Sequence, residues 1–449
     1  MTDILVIGAG FAGLACANAL QQAGHSVRVL EARDRVGGRV RAASLSGGMV
    51  DVGGQWIGAG HDGLRALADA AGVSVTPQYS QGSRLLHLRD DGDRVRRYDG
   101  LIPKVSPLAL LELQLALRSL ARKQRHVDLL APWRAARADR WDSETVASWA
   151  RRRFRSREAR QVFDIAVRAV LTSEPSALSF LYFLFYCASN DSLETLGSTK
   201  GGAQAQVVVG GMTQLAQHLA DALPGGVNLG EPARAVRQDA NGVEVMTDYS
   251  HYRADRVVIA VPPSLQGGIE FTPELPVPRQ RLAAQMPMGS VIKAVVAYER
   301  PFWRDAGLSG EAVSHTLAFN TVFDASWPAE RGGALVGFFD GQSALDYADA
   351  DPAVRRQAVL DSLATYFGKA AREPLDYVDY NWLADPWARG GYTGVMGPGI
   401  MTTLGLALRA PVGRVHWAGT ETATRWCGYI EGALLSGERA AAEVMTAVR

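Results

Sequence analysis

A stretch near the N-terminus constrains the fold more than any other part of the chain. Residues 4–39 read ILVIGAGFAGLACANALQQAGHSVRVLEARDRVGGR. Ile4 to Ile7 is a short continuous apolar run, as expected of a strand buried on both faces. Gly8, Gly10 and Gly13 follow as GxGxxG, and a helix is expected to about Ala23, with Gly24 as its C-cap. A second apolar run, Val27 to Leu30, ends on Glu31. Gly8 permits a tight turn, Gly10 lets backbone approach a pyrophosphate, and Gly13 allows close helix–strand packing. The helix N-terminus offers free N–H groups to phosphate, and Glu31 can accept hydrogen bonds from ribose hydroxyls. A glycine-rich turn alone is weak evidence; here strand, helix and acid stand in the context a dinucleotide site requires.

The next residues narrow the ligand. Arg33, Arg35, Gly37, Gly38 and Arg39 continue directly from Glu31, and a nicotinamide fold needs no second Gly-Gly-Arg at this point. The pattern resembles the FAD-binding signature of the flavin amine oxidases, in which such basic residues and glycines lie against the diphosphate. Arginine suits bidentate phosphate contact. FAD is therefore the expected cofactor.

Composition excludes several other classes. A chain of 449 residues should form two domains. A net charge of +1 gives no global field for nucleic acid or acidic membranes. Cys16, Cys187 and Cys427 show no metal spacing and suit a reducing cytoplasm. No signal peptide and no spanning apolar segment is legible. A soluble cytoplasmic protein is expected.

Further along, Gly53, Gly54, Gln55 and Trp56 follow a short strand, and the double glycine allows another close backbone approach. His61 to Gly72 reads as an amphipathic helix. Leu85 to Tyr98 alternates around Asp90-Asp91-Gly92-Asp93, a hairpin signal. Leu101 to Gln124 reads as a core-packed helix. The arginines of 151–160 read as a solvated helix face. Leu178 to Tyr186 (LSFLYFLFY) is core, or the apolar wall of a cavity. Ala233 to Val261 reads as strands with a hairpin at Asn241-Gly242 and returns the chain to the first sheet. Thr272 to Pro278, rich in proline, reads as a linker. Ser290 to Tyr298 is an apolar strand containing Lys293. A lysine in such a run is costly to bury unless paired or hydrated; the alternative is an edge strand that lets it reach solvent.

The C-terminal part carries GGYTG at 390–394 and AGTETATRWCGYIEGA at 418–433. Together with GAGFAGL, EARDRVGGR, GGQWIG, MGSVIK, PFW and NW, these make the chain resemble the flavin monoamine oxidase family over essentially its whole length. The resemblance implies an α/β fold: a Rossmann-like FAD-binding domain with an interleaved α+β substrate domain, of the amine oxidase/p-hydroxybenzoate hydroxylase-like type. The boundaries expected are 1–80, 206–282 and 386–449 for the first domain, and 81–205 and 283–385 for the second. It implies oxidation of a C–N bond by hydride transfer to flavin N5, with oxygen reduced to hydrogen peroxide. By motif, Tyr392 and Tyr429 flank the amine as an aromatic cage and Lys293 holds a water near N5. Gln204, Tyr186, Gly197 and Thr321 would line the substrate cavity. Cofactor contacts would come from Gly53, Gly54, Gln55 and Trp56, from Ala233 and Trp387, and from Gly419, Glu421, Gly428, Tyr429, Ile430 and Ala433. A homodimer is expected by the same analogy.

There are departures. Mitochondrial members attach FAD through a cysteine before the first cage tyrosine; Gly391 stands there, so non-covalent FAD is expected. Those members also end in a membrane-anchoring helix, which this chain is expected to lack. Small residues at the gate positions Gly197 and Thr321 point to a substrate larger than a simple arylalkylamine. Two other readings stand beside the amine oxidase. One is a tailoring oxidase of a larger natural-product amine or amide whose imine cyclises. The other is a flavoprotein dehydrogenase that passes electrons to a partner.

Overall fold

The computed structural model describes residues 3–92, 94–100, 103–327 and 332–447. The two N-terminal apolar runs pair in parallel, with Ile4 opposite Val27 and Ile7 opposite Leu30. Arg256–Ile259 pairs with the other side of the first strand, Val415–Trp417 lies beyond it, and Val227–Asn228 closes the opposite edge. Three distant parts of the chain thus build one parallel sheet. Ile4, Leu5 and Val6 have no exposed surface, as double coverage requires. The helix Phe11–Gln22 packs along the C-terminal helix Ile430–Ala447. Gly437 makes that approach possible, since a Cβ there would lie 2.2 Å from the Ala12 carbonyl oxygen.

A second sheet of seven strands runs in the order 376–381, 291–298, 333–340, 321–324, 308–314, 83–87, 96–98. Val291–Tyr298 lies inside it, hydrogen-bonded on both sides. Lys293 is therefore not an edge lysine, and it is 2% exposed.

Helices Pro107–Gln124, Val146–Arg153, Arg157–Leu171 and Phe180–Ser189 form a separate layer. The aromatic run 178–186 is its core: Trp149 stacks on Phe180 at 5.0 Å, and Phe183 is fully buried. Phe183→Ala should cost about 3–5 kcal/mol in a denaturant titration; a loss under about 1 kcal/mol would mean that this layer repacks freely. The arginine-rich stretch spans two helices with Arg151, Arg152, Arg155 and Arg157 exposed, the solvated face expected. Thr272–Pro278 is not a linker: a strand ends at Thr272 and a helix, Val277–Gln285, starts within it. Proline in the first helical turn lacks only an N–H that would be unpaired anyway.

The hairpin joining Ser83–His87 to Arg96–Tyr98 is present, with Asp93 of its turn outside the described residues. So are Leu101 and Ile102, where the long helix was expected to begin; it starts at Pro107, capped by Ser106. Among the described residues, no helix is long and apolar enough to cross a membrane.

Candidate active site

A cavity of about 770 Å³ runs from the first glycine turn to one face of the seven-stranded sheet. At the nucleotide end the turn is built on Gly8, whose φ of +103° favours glycine. Gly10 and Gly38 cross closely: a Cβ on Gly38 would lie 3.2 Å from the Gly10 Cα. Gly13 does not line the cavity. Its Cβ would fall 1.9 Å from the Gly8 carbonyl oxygen, so it is the packing glycine. Glu31 is buried at the end of the second strand, accepting from Ala9 N at 2.7 Å and Arg33 N at 2.9 Å. Each carboxylate oxygen keeps a further lone pair for a ribose hydroxyl.

The arginines are tied to protein partners. Arg33 donates to Asp385 at 2.8 Å, and Arg35 donates to the Val36, Gly38 and Val40 carbonyls. Arg39 forms a bidentate pair with Glu421 at 2.6 and 3.2 Å and donates to Tyr392 O at 2.7 Å. These side chains brace the loops around the cradle, although Arg33 and Arg39 still border it. Glu421 is 1% exposed and does not reach the cavity. Burial pushes its carboxyl up, but Arg39 and the Gly394 N–H more than offset that and hold it below the usual range. Glu421 thus joins the N-terminal signature to the loop that carries Tyr392.

At the other end, Tyr392 and Tyr429 both line the cavity. Burial pushes the Tyr392 phenol well above its usual range, and Asp340 and the Tyr429 hydroxyl add to it. Tyr392 backs edge-on against Phe338 at 5.9 Å. Tyr429 backs on Trp426 at 5.7 Å and His61 at 5.4 Å. His61 accepts from Gly58 N at 2.8 Å, and burial pushes its pKa down to about 3, which keeps the ring neutral.

Lys293 donates to Gly53 O at 2.7 Å and to the Gln55 side-chain oxygen. Burial pushes its ammonium down, while the buried Asp51 carboxylate favours the charged form. Asp51 is itself held by the Met212 N–H at 3.0 Å. Gly53, Gln55 and Lys293 are therefore one cluster, with Trp56 and Phe338 rings 5.7 and 5.6 Å from the ammonium.

Gly197, Gln204 and Thr321 line the cavity as expected, with Gln204 held by the Leu196 carbonyl at 3.0 Å. Tyr186 does not. Its hydroxyl donates to Val170 O at 3.1 Å behind Gly428, where a Cβ would meet it at 2.8 Å. Gly54, Ala233, Trp387, Gly419, Gly428, Ile430 and Ala433 all border the cavity. Glu431 turns away and caps the helix Asp62–Ala70 through the Gly63 and Leu64 N–H groups, at 2.9 and 2.7 Å.

Several groups in and behind the wall escaped sequence reasoning. Arg84 and Glu311 form a partly buried pair at 2.7 Å in the cavity wall, and Asp340 lies behind it under Thr321. Their partners lie on strands far away in sequence, and no local motif marks them.

By class, a nucleotide cradle that opens into an aromatic-walled chamber belongs to a cofactor-dependent oxidoreductase. The family model for flavin containing amine oxidoreductase matches residues 11–445, and the chain belongs to that family. It is similar to flavin-containing amine oxidase B of Sus scrofa, 34% identical over 99% of this chain and 86% of that one. An L-amino acid dehydrogenase of Synechocystis sp. is also 34% identical, over 99% of this chain and 94% of its own. Among solved structures, cyclohexylamine oxidase from Brevibacterium oxydans superposes with a TM-score of 0.94 at 32% identity, covering 100% of this chain and 99% of that one.

The protein is thus a flavoenzyme with FAD as cofactor. The residues fit it: side chains at Gly8 or Gly38 would be strained by positive φ, and Glu31 stands where a ribose is held.

Proposed function

We propose that this protein is an FAD-dependent amine oxidase that converts the C–N bond of an amine to an imine. The observation that carries the reading is one cavity, continuous with the glycine cradle, walled by two phenols and a buried lysine. FAD bound in the glycine cradle would supply a two-electron acceptor at N5, with oxygen as the final acceptor giving hydrogen peroxide. Tyr392 and Tyr429 present π-faces that orient the amine. The apolar surroundings favour the neutral amine, whose lone pair assists loss of the α-hydride. Lys293 has three donors and two are engaged by Gly53 and Gln55, leaving one to hold a water.

The strand membership of the two sheets supports the domain division 1–80, 206–282 and 386–449 against 81–205 and 283–385. The small residues Gly197 and Thr321 at the gates support a bulky amine. A peroxide assay over arylalkyl, cycloalkyl and diamine substrates tests the reading; failure of every amine to bleach the flavin anaerobically would refute it. The Synechocystis relative favours one second reading, a dehydrogenase. Rapid anaerobic reduction followed by sluggish re-oxidation in air would select that alternative. Arg84 is neutralised by Glu311 and is therefore a weak anchor for an amino acid's carboxylate.

Gly391 offers no thiol, and the three cysteines are buried away from the cavity. FAD should therefore be released free on denaturation, measured as flavin in the filtrate. Flavin retained on the chain would mean a covalent link.

A further inference from the structure

The last residue of the strand Gly333–Asp340 is an acid with no exposed surface. The Thr321 hydroxyl donates to Asp340 Oδ2 at 3.0 Å, and Asp340 Oδ1 has no hydrogen-bond partner among the described residues. Such an orphaned carboxylate oxygen is costly to bury and calls for a function or a proton. Thr321 faces the cavity, and its register partner across the sheet is Phe338, the ring on which Tyr392 rests. Directly opposed residues on one sheet face stand about 5 Å apart at Cβ. The Thr321 hydroxyl is thus one side chain from the cage, with the acid immediately behind it. The carboxylates that line the cavity are placed differently: Glu311 is paired with Arg84, Glu194 stands on the helix Leu193–Leu196, Glu231 accepts from the Thr247 hydroxyl, and Glu31 is at the nucleotide end.

Amines reach the protein as ammonium ions, whereas the reactive form needs a free lone pair. We propose that Asp340, reached through the Thr321 hydroxyl, accepts the proton that an incoming ammonium loses before its C–N bond is oxidised. The ammonium N–H passes its proton to Thr321 Oγ1 as the Thr321 proton passes to Asp340 Oδ2. One N–H and one O–H bond break, two O–H bonds form, and no electrons change hands. The positive charge on the substrate and the negative charge on the acid vanish together, which a low-dielectric cavity favours. The proposal rests on the amine-oxidising reading above.

The charged surroundings suit a weak base. Burial pushes the Asp340 carboxyl up to about 8, against the pull of Thr321 and Arg168, and Glu174 adds to the rise. Tyr392 faces it from the C-terminal segment, and Lys293 on the neighbouring strand is turned away toward Gly53 and Gln55. An acceptor must be ionised, so the step should speed up as pH rises through about 8.

The test uses holoenzyme with benzylamine, cyclohexylamine and putrescine, following anaerobic flavin reduction by stopped flow on both sides of that pH. In the wild type, one acidic limb should stay fixed whichever amine is used, while any limb due to the amine moves with its basicity. Asp340→Asn and Thr321→Val should each abolish the fixed limb and slow reduction by roughly 10²-fold at the plateau. An infrared pH difference spectrum should show a protonated-carboxyl band in the wild type that is missing from Asp340→Asn. Retention of the fixed limb in both variants, or no titrating band in the wild type, overturns the proposal. If Asp340→Asn does not fold, Thr321→Val and the wild-type spectrum decide. Wild-type flavin that none of the amines reduces would instead strike the amine-oxidase reading, while the infrared titration still reports on Asp340.

Discussion

Lys293→Met is expected to slow flavin reduction or re-oxidation by roughly 10²-fold or more while leaving yellow holoprotein. Methionine nearly matches lysine in length and packs flexibly, so the strand core should survive. Its thioether cannot donate to Gly53 O or Gln55, and it cannot hold a water at the reacting face. Losing the lysine leaves the Gly53 carbonyl without this donor and the buried Asp51 carboxylate without its counter-charge, so a stability loss of about 3–5 kcal/mol should accompany the kinetic effect. Stopped-flow traces of the two half-reactions separate the steps, and rates equal to the wild type in both would take Lys293 out of the site.

The second large effect separates two glycines of one motif. Gly13→Ala should give colourless protein with a markedly lower Tm, because its Cβ would lie 1.9 Å from the Gly8 carbonyl oxygen. Both partners are backbone, and nothing can rotate away; the helix must lift off the strand and the cradle opens. At Gly10 the nearest atom to an added Cβ is the Gly38 Cα at 3.9 Å, ordinary contact. Gly10→Ala should therefore keep a near-wild-type Tm for the stripped protein yet bind flavin weakly, since only the pyrophosphate needs that space. Thermal unfolding with and without flavin, read beside visible absorbance, distinguishes the two. Equal losses of Tm in both variants would mean that Gly10 too is a packing residue.

The motifs that read clearly from sequence are those whose function is local. The GxGxxG turn depends on the backbone angle at Gly8 and on the approach of Gly13 to Gly8, so its spacing together with the flanking strand, helix and acid exposes it. The buried lysine announced itself by its apolar neighbours, yet its place inside the sheet came from Gly333–Asp340 and Asp376–Asn381 flanking it. The two C-terminal motifs pointed to Tyr392 and Tyr429. The MGSVIK segment proved to lie against the loop that carries Tyr392, with Gly289 N donating to Thr393 O and Gly391 N donating to Gly289 O. Arg33 and Arg39 of the signature border the cavity, but their ion-pair partners were not legible, because a guanidinium takes whichever acid the fold presents. Here those acids are Asp385 and Glu421, each more than three hundred residues away in the chain.

From the sequence alone came the dinucleotide turn, the cofactor, the membership of the fold class and the candidate lysine and tyrosines. The turn and the lysine follow from steric rules and burial costs that act over a few residues, whereas the cofactor, the fold class and the tyrosines came from the resemblance of the motifs to the flavin monoamine oxidase family. Only the tertiary structure decided that Tyr186 and Glu421 stay behind the cavity wall, that Arg84 is neutralised, and that an acid lies beneath Thr321. Those outcomes depend on which side chains from separate strands share a face and how much water they exclude. Partner and dielectric are set by the assembled sheet, and no short window of residues contains them.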